Sequence, residues 1–492
     1  RKQCGRKGPS SPLHMSSGRI DPDVLNFLRR AHRMLDDTKS VVAGDDPEAA
    51  AEVVREAQMR AEVVGTVVEQ LKGQELHCAR HVFGSVALAR VLKAASDAQR
   101  TGVVSPLLSR GEPFALLSDK YASHVIEEII ALGSRQESMI DSEAGLAQVL
   151  VHFVDRLAQT PPAGPVPLVA CMRDRYGTHA VRALFRVLSG RPFTPRGSDP
   201  SSKPVQRETG SVAPPGPTDA PGPDAARAPV PPAYAEGLLR AADAVLSHGR
   251  ADGEGIRQLF SHTVASPALS ELIESLPEMC PQSAALISAL LKWPADGART
   301  DPPGERIRGK DAPEVGQADK AARGAGLASP PPQETVEWVR GLAREPTGSR
   351  ALEVVLSAAP CTWWGRIHSA LRGQILEMAQ HLLANFVVQS LATCASKQRD
   401  LKLLLAELCP GLPALLASRP GVVWRLAQAC ARLGGGGAVL LEAIAAARPA
   451  TDRLRNGGAS SAGGDGGALA NLILGIGAYG GSGGGLGKGQ GG

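Results

Sequence analysis

One phrase recurs along the chain, and its spacing limits the folds the chain can adopt. Residues 119–130 read DKYASHVIEEII and residues 174–185 read DRYGTHAVRALF. Both run acid, base, Tyr, small residue, hydroxyl residue, His. Looser copies begin at His81 (HVFGSVALARVL), His262 (HTVASPALSELI), Glu345 (EPTGSRALEVVL), His381 (HLLANFVVQSLA) and Ser418 (SRPGVVWRLAQA). Aligned on the small residue, the copies stand at Gly84, Ala122, Gly177, Ala265, Gly348, Ala384 and Gly421, with spacings of 38, 55, 88, 83, 36 and 37. The two longest spacings contain Pro- and Gly-rich stretches with no apolar period. Removing about 40 residues from each leaves intervals in the forties, so the underlying period is about 36–43, the range of helical repeats.

The flanks carry the same message. VLVHFVDRLAQ (149–159) and LKLLLAELCPGLPALLA (401–417) place apolar residues three and four apart. That period is helical, and Pro and Gly fall where helices should stop. Strictly alternating β-branched runs are absent. The expected fold is all-α: a right-handed superhelical solenoid with Pro- and Gly-rich inserts that remain disordered.

Composition sets the expected boundaries. The chain holds 55 Gly and 38 Pro, bunched rather than spread. Segments poor in apolar residues bury too little surface to offset their ordering entropy. The expected division is a basic disordered tail (1–19), N-terminal repeats (20–190), an insert (191–233), a middle repeat (234–293), a second insert (294–333), C-terminal repeats (334–455) and a Gly-rich tail (456–492). The net charge of +5 fits an acidic partner but is far from that of a histone-like protein. No apolar run reaches the 18 or so residues of a membrane span, so no membrane partner is expected. No signal-peptide pattern is present, and the absence of an initial Met fits a fragment or processed product. The eight cysteines are scattered without a CxxC pair, which favours reduced thiols inside the cell.

Within a helix, Val125, Ile126, Ile129 and Ile130 share one face and should form core. The opposite, exposed side should carry Ser123, His124 and Glu127. The same arithmetic exposes Thr178, His179 and Arg182; Ser349, Arg350 and Glu353; and Asn385, Phe386 and Gln389. In each triple the middle side chain is flat and its neighbours are mostly hydrogen-bonding groups. Such a set suits an unstacked base: the flat group stacks on the ring and the flanking groups meet its edge. Lys120, Arg173, Arg175 and Arg182 would attract phosphate. A solvated helix face is the plainer reading of any one triple; four triples with a flat centre favour the RNA surface. Phe386 sits in an apolar context and could instead turn into the core. Tyr121 and Tyr176 read as packing residues.

The phrases resemble Pumilio (PUF) repeats, most closely in HLLANFVVQSLA. The order YASHVIEEII, RYGTHAVRALFRVLSGRPF, SPALSELIE, GSRALEVVLSAAP, LRGQILEMAQHLLANFVVQSLA, GVVWRLAQACARL is similar to the nucleolar protein 9 family of Pumilio-like proteins. The resemblance spans about residues 75–190, 234–293 and 334–446. It implies a non-catalytic RNA-binding protein of the nucleus and nucleolus, acting on precursor ribosomal RNA in small-subunit (18S) maturation, with pre-ribosomal assembly proteins as further partners and no cofactor. It also implies that Asn385 and Gln389 read uracil with Phe386 stacking. Ser349 with Glu353 would read guanine beside Arg350, and Ser123 with Glu127 beside His124. Thr178 with Arg182 departs from the standard pairs. Ser266, Pro267 and Ser270, then Ser85, Val86 and Ala89, and finally Val422 and Val423 lack a good stacking group.

Other readings compete. An armadillo- or HEAT-like protein scaffold shares the period without needing the triples, and a cytoplasmic Pumilio-type regulator of messenger RNA shares the triples. His77 and His81 stand one turn apart beside Cys78, but no second ligand pair is near, so no metal is expected. GIGAYG (475–480) fits GxGxxG but precedes only a Gly tail, and GLGKG lacks the ends of a phosphate loop. No catalytic constellation stands out.

Overall fold

Five of the seven phrases start a helix by the same device. The Asp119 carboxylate accepts the N–H groups of Tyr121 and Ala122 at 2.8 and 2.9 Å. Asp174 does the same for Tyr176 and Gly177, both at 2.8 Å. At the other three starts an imidazole takes the role. Nδ1 of His81, His262 and His381 accepts two N–H groups each at 3.2–3.3 Å. Asp and His therefore interchange at this position because each offers an acceptor within reach of the first free N–H groups. The remaining two phrases place Pro346 and Pro420 at the first helical position, where a missing N–H costs nothing. His81 is thus occupied as a helix cap, and Cys78 beside it is fully buried.

The computed structural model describes residues 20, 22–36, 47–134, 145–161, 164–193, 229–249, 253–293 and 331–455. Every regular element among them is helical. The segments 1–19, 191–233, 294–333 and 456–492 lie wholly or mostly outside the described residues. The described chain forms two units: one runs to Ala244 and the other starts at Val245, within the helix Pro232–His248.

In the first unit the helices Pro22–Asp36, Val82–Ala94, Ala122–Leu132 and Gly177–Leu188 pack side by side in chain order. Three of these start in phrases; the first does not. A second row, including Asp97–Arg110 and Leu146–Ala158, packs alongside. The second unit repeats the plan with Ser266–Ser275, Pro346–Ala358, Ala384–Cys394 and Pro420–Leu433 in the phrase row.

Each phrase helix buries apolar residues in pairs three and four apart. In Ala122–Leu132 the side chains of Val125, Ile126, Ile129 and Ile130 are at most 1% exposed. Burial of each contributes about 1.5–3 kcal/mol. Arginines join neighbouring helices by covering helix C-termini. Arg100 Nε donates to Leu92 O at 2.9 Å, Arg340 Nε to Ala370 O at 2.9 Å, and Arg432 Nη2 to Thr393 O at 2.9 Å. These bonds satisfy carbonyls that a helix end leaves free. The Pro420–Leu433 helix stops at Gly434, whose φ of 63° is left-handed and suits glycine.

One segment bears on the expected lack of a membrane span. Gln398–Ser418 is long and apolar enough, by length and composition, to cross a membrane. In the fold it is two helices, Gln398–Leu408 and Leu412–Ser418, joined through Cys409–Gly411. Their leucines 401, 404, 405, 408, 412, 415 and 416 are buried among neighbouring helices, which accounts for the apolar composition. The cysteines among the described residues carry no disulfide, and burial pushes the Cys78 thiol up to about 12.

Candidate nucleic-acid interface

The phrase helices share one burial pattern, counted from the small residue. The small residue is buried, the next is buried, the third is open, and the following two are buried or nearly so. At Gly84, Gly177 and Gly348 close approach to the preceding helix demands glycine at the first place. A Cβ on Gly177 would stand 2.7 Å from Cys171 O, and one on Gly348 2.4 Å from Leu342 O. Where a phrase helix has row neighbours on both sides, as Ala122–Leu132 and Ala384–Cys394 do, little beyond the third place stays open in its first turns.

This geometry corrects the expected exposure of the triples. Ser123, Thr178, Ser349 and Asn385 are buried rather than exposed, and so is Glu127. The serine hydroxyls turn back onto their own helix: Ser123 Oγ donates to Lys120 O at 3.4 Å and Ser349 Oγ to Pro346 O at 3.3 Å. Asn385 Nδ2 donates to His381 O at 2.9 Å and to Leu382 O at 2.7 Å. Its Oδ1 accepts from Gln389 Nε2 at 2.9 Å. Arg182, Glu353 and Gln389 are half-buried.

The middle residues lie where flat groups are useful. His124 and Arg350 are exposed, His179 is half-buried, and Phe386 is 47% exposed rather than turned into the core. One turn earlier on the same strip stand Lys120, Arg175 and Leu382, also exposed. The strip of the first unit is therefore cationic, and that of the second unit is more apolar towards its end. Tyr121 and Tyr176, read as packing residues, are half-buried under a cation: Lys120 Nζ lies 5.3 Å from the Tyr121 ring and the Arg175 guanidinium 4.9 Å from that of Tyr176.

Two contributions escaped the sequence. The helix Pro22–Asp36 extends the phrase row although it lacks the phrase, and it exposes Asn26, Arg29, Arg30 and Arg33. Arg29 reaches across to the Phe83 ring, 5.4 Å from its centre. The second is Trp424. Alignment on Gly421 misplaced the last phrase by one residue. Pro346 and Pro420 both occupy the first helical position, so Val422 matches Gly348, Val423 matches Ser349 and Trp424 matches Arg350. The burial pattern agrees: Val422 and Val423 are buried and Trp424 is partly open. Matching prolines, rather than small residues, would have revealed it.

A cavity lined by Thr101, Ser105, Gln148 and His152 lies between Asp97–Arg110 and Leu146–Ala158 and shares no residue with the strip. No group of three or more His, Cys, Asp or Glu suited to a metal occurs among the described residues.

Comparison with known proteins adds an independent line. The profile of the NOP9-like PUF repeat domain matches residues 73–456. Nucleolar protein 9 of Mus musculus is 37% identical over 103 residues, covering 20% of this chain and 16% of that protein. The Phaeosphaeria nodorum protein of the same name is 22% identical over 424 residues, 84% of this chain and 52% of that one. The chain thus spans about half the length of this fungal relative. Among solved structures, APUM23-GGAGUUGACGG superposes with a TM-score of 0.61 at 17% identity, covering 89% of this chain and 68% of that one. A second APUM23 structure, with its insert region deleted, gives a TM-score of 0.60 at 18% identity, covering 89% and 66%. That likeness shows the fold, a Pumilio-type helical-repeat solenoid.

Proposed function

The chain belongs to the NOP9-like PUF repeat family, and from that premise we propose that it is a non-catalytic RNA-binding protein of the nucleolus that engages precursor ribosomal RNA during maturation of the small-subunit (18S) RNA. The observation that carries the proposal is the open strip of the phrase row, which presents His124, His179, Arg350 and Phe386 one per repeat, with Lys120 and Arg175 a turn away. Flat groups stack on bases and cations meet phosphates, while neither needs a catalytic group. The nucleolar setting follows the name of the curated relatives, and pre-ribosomal assembly proteins are proposed as further partners.

Base reading is proposed chiefly at Asn385 and Gln389, whose linked amides present hydrogen-bonding capacity beside Phe386. Ser349 with Glu353 would add a second reading site beside Arg350. At Ser123 and Glu127 the side chains are enclosed, so that repeat contributes mainly through His124. His179 is proposed to stack as well, with Thr178 enclosed and Arg182 half-buried beside it.

Crosslinking in cells, followed by sequencing of the bound RNA, tests the proposal. Reads from ribosomal precursors support it. Reads from messenger 3′ ends would support a cytoplasmic messenger-RNA regulator instead, and recovery of no RNA would support a protein scaffold.

A further inference from the structure

The three phrase helices of the first unit begin beside the same pair of groups. The residue before the small residue is aromatic: Phe83, Tyr121 or Tyr176. Each ring is half-buried under a cation, with Arg29 at 5.4 Å, Lys120 at 5.3 Å and Arg175 at 4.9 Å from the ring centre. Lys120 and Arg175 immediately precede their rings in the chain. The first phrase has Val82 at that place, and its cation comes instead from the row neighbour Pro22–Asp36. Arg29 thus supplies from another helix the charge that the phrase itself lacks. The second unit has no such ring, since Val264, Thr347, Leu383 and Gly421 stand at the aromatic position.

Arg29 is held in position. Its guanidinium lies over Phe83, which His32 meets in a T-shaped contact at 5.6 Å, and its Nη1 donates to Asn26 Oδ1 at 3.3 Å. A guanidinium resting on a ring keeps further N–H groups for an anion and loses less freedom when one binds. One turn on, Arg33 Nε donates to Arg29 O at 3.4 Å, and the side chain is exposed. No described carboxylate lies within ion-pairing distance of Arg29, Arg30 or Arg33, whereas Arg100, Arg257 and Arg344 each have one. The neighbouring phrase helix offers no flat group to a base: Val82 and Val86 are its exposed side chains, and the Phe83 ring is already engaged. What remains for a strand at this repeat is its backbone.

Resting on the RNA-binding reading above, we propose that Arg29, with Arg33 a turn away, holds phosphates of the RNA strand beside the first phrase repeat and so completes a phosphate ladder with Lys120 and Arg175. A strand that gives one nucleotide to each repeat also gives one phosphate to each, so one ring-mounted cation per repeat suits it. Pro22–Asp36 precedes the residues matched by the family profile, and the ladder carries the RNA path beyond them. Phosphate contacts fix a strand without reading it, so the ladder contributes affinity and not base choice.

The test uses the full chain and fluorescein-labelled oligo(U), oligo(A) and oligo(C), each about twenty nucleotides long, more than one per repeat. The double change Arg29→Gln/Arg33→Gln removes two charges and keeps helix propensity. The slope of log affinity against log salt should fall by about 1.4, about 0.7 for each lost phosphate contact. Near 0.1 M salt that slope implies binding about 25-fold weaker, by the same factor for all three oligomers. The double change Arg29→Lys/Arg33→Lys keeps both charges and should keep the slope. Melting followed by circular dichroism should match the parent, since both arginines are exposed. Should loss of the Phe83 contact lower the melting point, Arg33→Gln alone leaves that contact intact and must still lower the slope by about 0.7. An unchanged slope in a variant that folds like the parent, or a loss confined to one oligomer, overturns the ladder and leaves the RNA-binding reading standing. A parent that binds none of the three oligomers overturns both.

Discussion

Gln389 donates its side-chain amide to Asn385 Oδ1 at 2.9 Å, one helical turn back, and Asn385 is itself anchored to two first-turn carbonyls. On the proposed reading, Asn385 sets the orientation and Gln389 meets the base. Replacing both, Asn385→Ser with Gln389→Glu, removes the amide and leaves a carboxylate that accepts only. Base preference at this repeat should move from uracil towards guanine, whose Watson–Crick edge offers donors. Binding of RNA pools randomised at single positions, followed by sequencing, reads the shift. An unchanged preference would mean that the pair is structural.

The open strip can be tested apart from the core. His124, Arg350 and Phe386 stand outside the packed faces, opposite Val125, Leu352 and Val387, which are fully buried. The triple Ala variant should melt close to the parent. Each change should cost about 1–3 kcal/mol of RNA affinity where a base stacks on the removed group. Affinity by fluorescence anisotropy and melting by circular dichroism, measured on the same samples, separate the two effects. A variant that melts early and binds weakly would assign these residues to packing.

Two glycines should respond in opposite directions to the same substitution. Gly348→Ala places a methyl 2.4 Å from Leu342 O, a backbone atom that cannot step aside, and should destabilise by about 1–3 kcal/mol. Gly341→Ala, in the preceding helix, meets nothing within 4 Å and should stabilise by about 0.5–1 kcal/mol through helix propensity. Thermal denaturation of the two variants checks the contrast.

His368 predicts an acid-sensitive second unit. Its ring is buried, stacked on Trp364 at 4.9 Å, and its Nε2 has no partner. Burial, with a smaller push from Arg372, lowers its pKa from 6.5 to about 4. Between those values the unfolded chain binds a proton that the folded chain refuses. Stability is therefore fully present above about pH 6.5 and falls as pH drops towards 4, by up to about 3 kcal/mol. His368→Phe keeps an aromatic ring against Trp364 and should flatten that part of the pH–stability curve, measured by urea denaturation from pH 7 to pH 4.

The sequence alone determined the repeat and its helical nature. The Asp or His that caps five of the phrase helices, the proline that starts the other two and the apolar pairs at three and four are local signals, read within one or two turns. They located all seven phrase helices and put His124, Arg350 and Phe386 on the open strip. Tertiary packing decided the rest, because exposure in a repeat protein depends on neighbours a full period away. Ser123, Thr178, Ser349 and Asn385 look polar and therefore exposed, yet the adjacent helices enclose them and their own first-turn carbonyls take several of their hydrogen bonds. Pro22–Asp36 carries no phrase and joins the row only by packing on Val82–Ala94. Trp424 came into register with Phe386 only when the helix starts, rather than the glycines, were aligned, since backbone geometry sets which face a residue shows.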